Sequence, residues 1–229
     1  GSGKTSFATW AALQQARQGV SVLLTSYEQR PIGTVQKLLR MQVGDDFTNV
    51  SQEVRKKGFN YLDKLPIHLI DHYGHMTFED LVETIRFAIR RRGCSWILVD
   101  HLGFIADPNA KDERREIERC VRELATVAVN EDVTIVLICH PNNMAVAQQR
   151  RVQITDLKGA SAIRQDAHVG IVVERLIPSE KNPYPCSAIH LDKIRSEFGL
   201  TGSRVVLYYD PLACVYADSW IMTPLGQRS

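Results

Sequence analysis

The chain has 229 residues, 44% of them hydrophobic and 24% charged, with a formal charge of +2, which is the size and balance of one large globular domain. A charge so close to zero excludes any argument for nucleic-acid binding from net charge, so such contact must come from a local patch. No run approaches the ~18 apolar residues of a membrane span, and the 5 cysteines, widely spaced and without a C-x-x-C pair, fit a reduced cytoplasmic interior better than a disulfide or zinc framework.

Gly1-Ser2-Gly3-Lys4-Thr5 reads as the second half of the phosphate-binding pattern G-x-x-x-x-G-K-[ST]. The first glycine of that pattern would fall before residue 1. The chain is therefore expected to begin inside its own phosphate loop, with the feeding strand upstream. The competing origin of these residues is an expression-tag scar. In such a loop, backbone N–H groups cradle the phosphates, Lys4 reaches the β and γ oxygens, and the Thr5 hydroxyl ligates Mg²⁺.

Thr5 to Arg17 predicts a helix, with Phe7, Trp10, Ala11 and Leu13 as apolar positions and Gly19 as its stop. A strand follows over 20–25 and ends at Ser26-Tyr27-Glu28. A helix is expected from Pro31 to about Gln42, and mixed helix and loop over 44–64. Ile67 to Ile70 reads as a short strand. Thr77 with Asp80 resembles a cap, and Leu81, Ile85, Phe87 and Ile89 give the next helix its apolar positions. Trp96 to Asp100 is a buried strand, Ile117 to Asn130 a helix, and Val133 to Cys139 another buried strand. Gly170–Glu174, Ala188–Lys193 and Arg204–Tyr209 are three more. Near-continuous Val/Ile/Leu runs alternating with helices predict an α/β fold, a mostly parallel sheet covered on both faces. The late strands lack intervening helices, so the sheet is expected to end in an antiparallel edge. Residues 141–155 and 177–187 read as loops.

In an open α/β sheet, ligands sit at the carboxyl ends of the strands. Lys4, Glu28, Asp100 and His140 all fall at such ends or beside them. Asp100 occupies the position of a Mg²⁺-coordinating aspartate. Glu28 can orient and deprotonate the water that attacks a γ-phosphate, or it can be an acid favoured by a helix dipole. His140 can hydrogen-bond the γ-phosphate, or it can be a core histidine. Lys193-Ile194-Arg195 puts two cations at a strand end. Arg195 suits insertion into a neighbour's nucleotide site, and the plainer reading is a solvated basic edge. Between Asp156 and Asp166, small residues and Gly159 lie between Lys158 and Arg164. That composition lets backbone N–H groups approach a phosphodiester chain, with Arg150 and Arg151 adding charge upstream, although a capping loop has the same composition. His68, His72 and His75 have loosely ligand-like spacing but lie on a strand and the turn after it, with no fourth ligand nearby.

The most specific stretches are Val99-Asp100-His101-Leu102, Asp112-Glu113-Arg114, Ile138-Cys139-His140-Pro141-Asn142-Asn143, Ile154 through Gln165, and Lys193-Ile194-Arg195. In this order they resemble the RecA-type motor domain of DnaB-family hexameric replicative helicases, with phage primase-helicases nearest in pattern. The resemblance covers most of the chain, so residues 1–229 are expected to be one RecA-like motor domain without a primase domain. It implies an ATP-dependent DNA helicase that translocates on single-stranded DNA as a hexameric ring. Gly1, Ser2, Gly3, Lys4, Thr5 and Ser6 would hold ATP or another NTP, and Thr5 and Asp100 would hold Mg²⁺. Glu28 would be the base, His140 the γ-phosphate sensor, and Arg195 the finger acting in trans, with Lys193 beside it. Arg175 and Tyr209 would contact the nucleotide base. Asn143, Lys158, Gly159, Ala160 and Arg164 would line the DNA channel, and Gln165 would couple DNA to nucleotide state. The pattern departs at Pro141-Asn142-Asn143, where phage relatives often carry lysine. Two other functions share these residues. One is a recombinase or circadian-clock-type ATPase on the same core, and the other is an accessory protein that uses nucleotide as a switch.

Overall fold

The computed structural model describes residues 3–27, 30–72, 76–101, 103, 113–141, 151–157, 160–178, 183–195 and 202–218. Gly3, at φ 88°, turns the chain into helix α1 (Lys4–Arg17), a left-handed conformation that glycine adopts without Cβ strain. Strand β1 (Val22–Ser26) follows, then α2 (Pro31–Val43), α3 (Gln52–Leu62) and β2 (Ile67–Leu69). Next come α4 (Phe78–Arg92), β3 (Trp96–Asp100), α5 (Glu113–Asn130) and β4 (Thr134–Leu137). A short 3₁₀ turn (Ile154–Asp156) leads to α6 (Ala160–Asp166). Strands β5 (Val169–Leu176), β6 (Cys186–Ile194), β7 (Arg204–Asp210) and β8 (Val215–Ala217) follow it.

The first four strands form a parallel sheet in the order β2-β1-β3-β4. Successive side chains on a strand point to opposite faces, and here both faces are covered. Leu23, Ile97 and Val99 pack with Phe78, Leu81, Ile85, Val121 and Leu124 of α4 and α5. Val22, Leu24, Trp96 and Leu98 pack with Ala12, Leu13, Leu38 and Met41 of α1 and α2. Two-sided burial is why these strands read as unbroken apolar runs. Leu13, Leu81, Ile85 and Ile97 have 0% exposure, and burying each such side chain contributes about 1.5–3 kcal/mol.

Several boundaries differ from the sequence expectation. The mixed segment 44–64 contains α3, which Ser51 caps by accepting from Val54 N at 3.3 Å. The Thr77 cap forms, with Asp80 N donating to Thr77 Oγ1 at 3.2 Å. Phe87, however, is 59% exposed and no core residue. It lies two positions past buried Ile85, on the other side of the helix, whereas Ala88 takes the core position.

The expected α/β fold, a mostly parallel sheet under helices with antiparallel strands towards its C-terminal end, is present. Among the described residues the late strands form their own antiparallel sheet, β5-β6-β7-β8. Beyond β4, the described residues show an isolated bridge between Pro141 and Leu157. Proline has no N–H with which to extend a ladder.

Candidate functional site

Three strands of the parallel sheet end together. Ser26 stands opposite Asp100 in the β1–β3 register, and Tyr27 N donates to Asp100 O at 2.9 Å. On the other side of β3, Ile138 N donates to Val99 O at 2.9 Å. These bonds carry the chain ends beyond β1, β3 and β4 to one edge of the sheet, and α1 packs across β3 from that edge. Lys4 opens α1, and its charge acts on Cys139 at the end of β4. Burial pushes the Cys139 thiol up to about 12, with the Lys4 ammonium pulling the other way.

Lys4, Asp100 and His140 are therefore neighbours at one sheet edge. Asp100 is buried at 2% exposure, whereas His140 is exposed. The His140 ring meets His101 edge to face at 4.3 Å between centroids. The sequence reading gave His101 no role. Its position directly after Asp100 was the available signal. Gly1, Ser2 and Glu28 lie outside the described residues.

The residues present fit Mg²⁺. A threonine hydroxyl and a carboxylate are hard oxygen donors, the kind that ion prefers. A carboxylate buried as deeply as Asp100 also gains from a cation beside it.

The antiparallel sheet contributes an aromatic wall along the start of α1. Tyr216 of β8 packs edge-on to Phe7 at 5.4 Å and lies 5.6 Å from Trp10 and 4.9 Å from Tyr209. Its hydroxyl donates to Gly3 O at 3.3 Å. Burial raises the Tyr209 and Tyr216 phenols above their usual range, so both remain neutral donors. Tyr209 is 7% exposed and shares a side-chain hydrogen bond with Ser6, while the exposed Arg175 guanidinium lies 5.7 Å from its ring centroid. Of the two residues expected to meet a base, Arg175 is accessible and Tyr209 is turned onto α1. Tyr216 was not identified from the sequence. It lies on a three-residue strand, 213 positions from the carbonyl it holds.

A second cluster surrounds α6. Ala162 and Ile163 bury into the core, leaving Arg164 and Gln165 exposed. Ser161 Oγ donates to Glu118 at 2.6 Å and fixes the helix on α5. Lys193 Nζ and Arg195 Nη2 donate to the carbonyls of Arg164 and Gln165 respectively. Cations suit the carbonyl end of a helix. Burial first, then the nearby Arg195 and Arg164 charges, hold the Lys193 ammonium below its ordinary pKa, against the pull of Asp166.

The structure thus joins Lys193, Arg195, Arg164 and Gln165. Ala160 opens α6, while Asn143, Lys158 and Gly159 lie outside the described residues. Arg151, expected as added DNA-facing charge, instead bonds Asp192 at 2.9 Å. His68 is on β2 and His75 is outside the described residues. Among those described, no group of three metal-ligating side chains forms. No described helix is long and apolar enough to cross a membrane.

Comparison with known proteins gives consistent matches. The family described as the DnaB-like helicase C-terminal domain matches residues 1–210. A DNA helicase/primase of Enterobacteria phage T3 is 28% identical over an alignment 193 positions long, which covers 76% of this chain and 34% of that protein. The chain thus spans about a third of that relative's length. A solved ATPase domain superposes with a TM-score of 0.81 at 19% identity, over 94% of this chain and 80% of its own. A DnaB-like replicative helicase solved in a study of its interactions with primase gives 0.80 at 18% identity, over 93% and 54%.

Proposed function

The chain belongs to the DnaB-like helicase C-terminal domain family, and from that premise we propose that it is the motor of an NTP-hydrolysing, ring-forming replicative DNA helicase. The observation that carries this reading is the meeting of Lys4, Asp100 and His140 at the carboxyl edge of one parallel sheet. Phosphoryl transfer needs positioning and charge neutralisation more than covalent chemistry. Lys4 and the backbone of Gly3 hold the phosphates, and Glu28 orients the attacking water. His140 registers the γ-phosphate, with the His101 ring set edge to face against it. Thr5 and Asp100 hold Mg²⁺, which when bound neutralises charge on the phosphoryl oxygens.

The exposed Arg195 supports a role in trans. A guanidinium on the surface at a strand end can reach a neighbour's nucleotide, and such an arginine contributes ~10³–10⁵ in rate in related systems. Single-stranded DNA lies against α6 and the segments flanking it, held by Arg164, Lys158 and backbone N–H groups without base readout. The exposed Arg175 contacts the nucleotide base from the neighbouring sheet.

The test is hydrolysis of ATP with and without a single-stranded oligonucleotide, together with unwinding of a forked duplex. The expected result is DNA-stimulated turnover and strand separation. Tight nucleotide binding with no stimulated turnover would instead mark a nucleotide-switched accessory protein. Stimulated turnover on filaments without unwinding would mark a recombinase-type ATPase.

A further inference from the structure

Strand β6 carries an irregularity that the nucleotide site does not require. Gly170 pairs with Lys193 and Ile171 with Leu191, so Asp192 is left over as a bulge residue. A bulge bends its strand and re-aims the side chains there. The Asp192 side chain is 8% exposed. It accepts from Arg151 Nη2 at 2.9 Å and from the backbone N–H of Ile154 at 3.3 Å. Arg151 Nη1 also bonds His190 Nδ1 at 2.6 Å. A guanidinium cannot accept, so Nδ1 does, and Nε2 carries the ring proton that it donates to Glu174 Oε2 at 2.9 Å. Ile154 in turn packs over Gly170, where an added Cβ would overlap its Cδ1. Past the bulge, the same strand end sends Lys193 and Arg195 to the carbonyls of Arg164 and Gln165.

One strand end therefore grips residues 151–154 on one side and α6 on the other. We propose that Asp192 is a positioning residue that makes residues 151–154, α6 and the Lys193–Arg195 pair a single rigid body. The proposal rests on the reading above, in which DNA lies on α6 and Arg195 serves a neighbouring nucleotide. DNA seated on α6 then sets the position of Arg195 with no hinge between them. Without Asp192, the Arg151 guanidinium and the Ile154 N–H each lose an acceptor, and the bulge loses the contact that fixes its register.

Hydrolysis by the protein carrying this chain, with and without oligo-dT, tests the proposal, alongside fluorescence-anisotropy binding of the same oligonucleotide. Asp192→Ala is expected to lower the ratio of stimulated to basal rate by roughly 10- to 100-fold, the scale on which a displacement of about 1 Å acts. Its KM for nucleotide should stay at the parental value. Asp192→Asn keeps one acceptor oxygen and should fall between. Arg151→Gln weakens the same contact from the solvent side without touching the bulge, and decides the matter if Asp192→Ala does not fold. A parental stimulation ratio in these variants, or equal loss of basal and stimulated rates, overturns the proposal. A parental protein that oligo-dT neither binds nor stimulates overturns the underlying reading first, and the proposal falls with it.

Discussion

The backbone N–H of Tyr27 donates to the carbonyl of Asp100 at 2.9 Å. This bond continues the β1–β3 ladder one step past the last register pair, Ser26 and Asp100. It holds the chain at the end of β1 beside the carboxylate of β3. Tyr27 is itself fully buried, so the junction has little freedom to open.

Asp100→Asn preserves shape and removes charge at that junction. Hydrolysis is expected to fall by about 10²–10³, the scale of losing one preorganised electrostatic group. Nucleotide binding in Mg²⁺-free buffer should be unchanged. A Mg²⁺ titration of turnover checks this, and a parental titration curve would remove Asp100 from the metal site.

Arg195→Ala should bind nucleotide with near-parental affinity yet lose DNA-stimulated turnover. Mixing it with Lys4→Ala tests action in trans, because each subunit then keeps the half that the other lacks. Activity recovered in mixed assemblies supports the assignment. Turnover at the parental rate by Arg195→Ala alone would end it.

DNA held through its backbone releases counterions on binding. The logarithm of affinity for single-stranded DNA should therefore fall linearly with the logarithm of salt, with a slope of about −0.7 per phosphate contacted. Arg164→Ala should make that slope shallower by about one such contact, and weaken binding alike on different sequences. A change confined to one sequence would argue for base readout instead.

Gly170→Ala places a methyl group against Ile154 Cδ1. Overpacking of this kind costs about 1–3 kcal/mol. Ile154→Val removes the clashing atom, so the double variant should recover part of the loss. Thermal or urea denaturation of the two single variants and the double variant measures the coupling.

Cys120 and Tyr27 make the fold sensitive to alkali. Burial, with the Glu116 carboxylate adding to it, lifts the Cys120 thiol from 9.0 to about 12. Burial lifts the Tyr27 phenol from 10.0 to about 12. Both folded-state values lie above the unfolded ones. Their stabilising contribution is therefore complete below about pH 9 and is lost as the pH rises to about 12. Denaturant midpoints should fall across that window. Iodoacetamide at pH 8.5 should label Cys120 slowly in the native protein and readily once it is unfolded.

The parallel half of the fold was legible because its strands are buried on both faces, and Leu23, Ile97 and their neighbours leave unbroken apolar runs. The sheet-edge positions of Asp100 and His140 followed from where those runs stop. Phe87 misled because an apolar residue two places from Ile85 resembles a core position until the helix is wound. The partner of Arg151 was not legible, because charge in a sequence carries no sign of its partner, and Asp192 lies 41 residues further on. The bulge at Asp192 and the hydroxyl of Tyr216 left no local pattern. Each is set by pairing between distant strands.

The bond from Tyr216 to Gly3 closes the first helix onto the last strand, 213 residues later. At about 5–20 residues per second of synthesis, roughly 10–40 s pass between the translation of one partner and the other. Through that interval Gly3 lacks the phenol that holds its carbonyl, and the start of α1 lacks its aromatic wall. A nascent chain can build the parallel sheet as it emerges, but it cannot complete the proposed nucleotide pocket until β8 has left the ribosome. Stalling or proteolytic clipping just before Val215 would yield a product with its parallel sheet in place and the start of α1 uncovered.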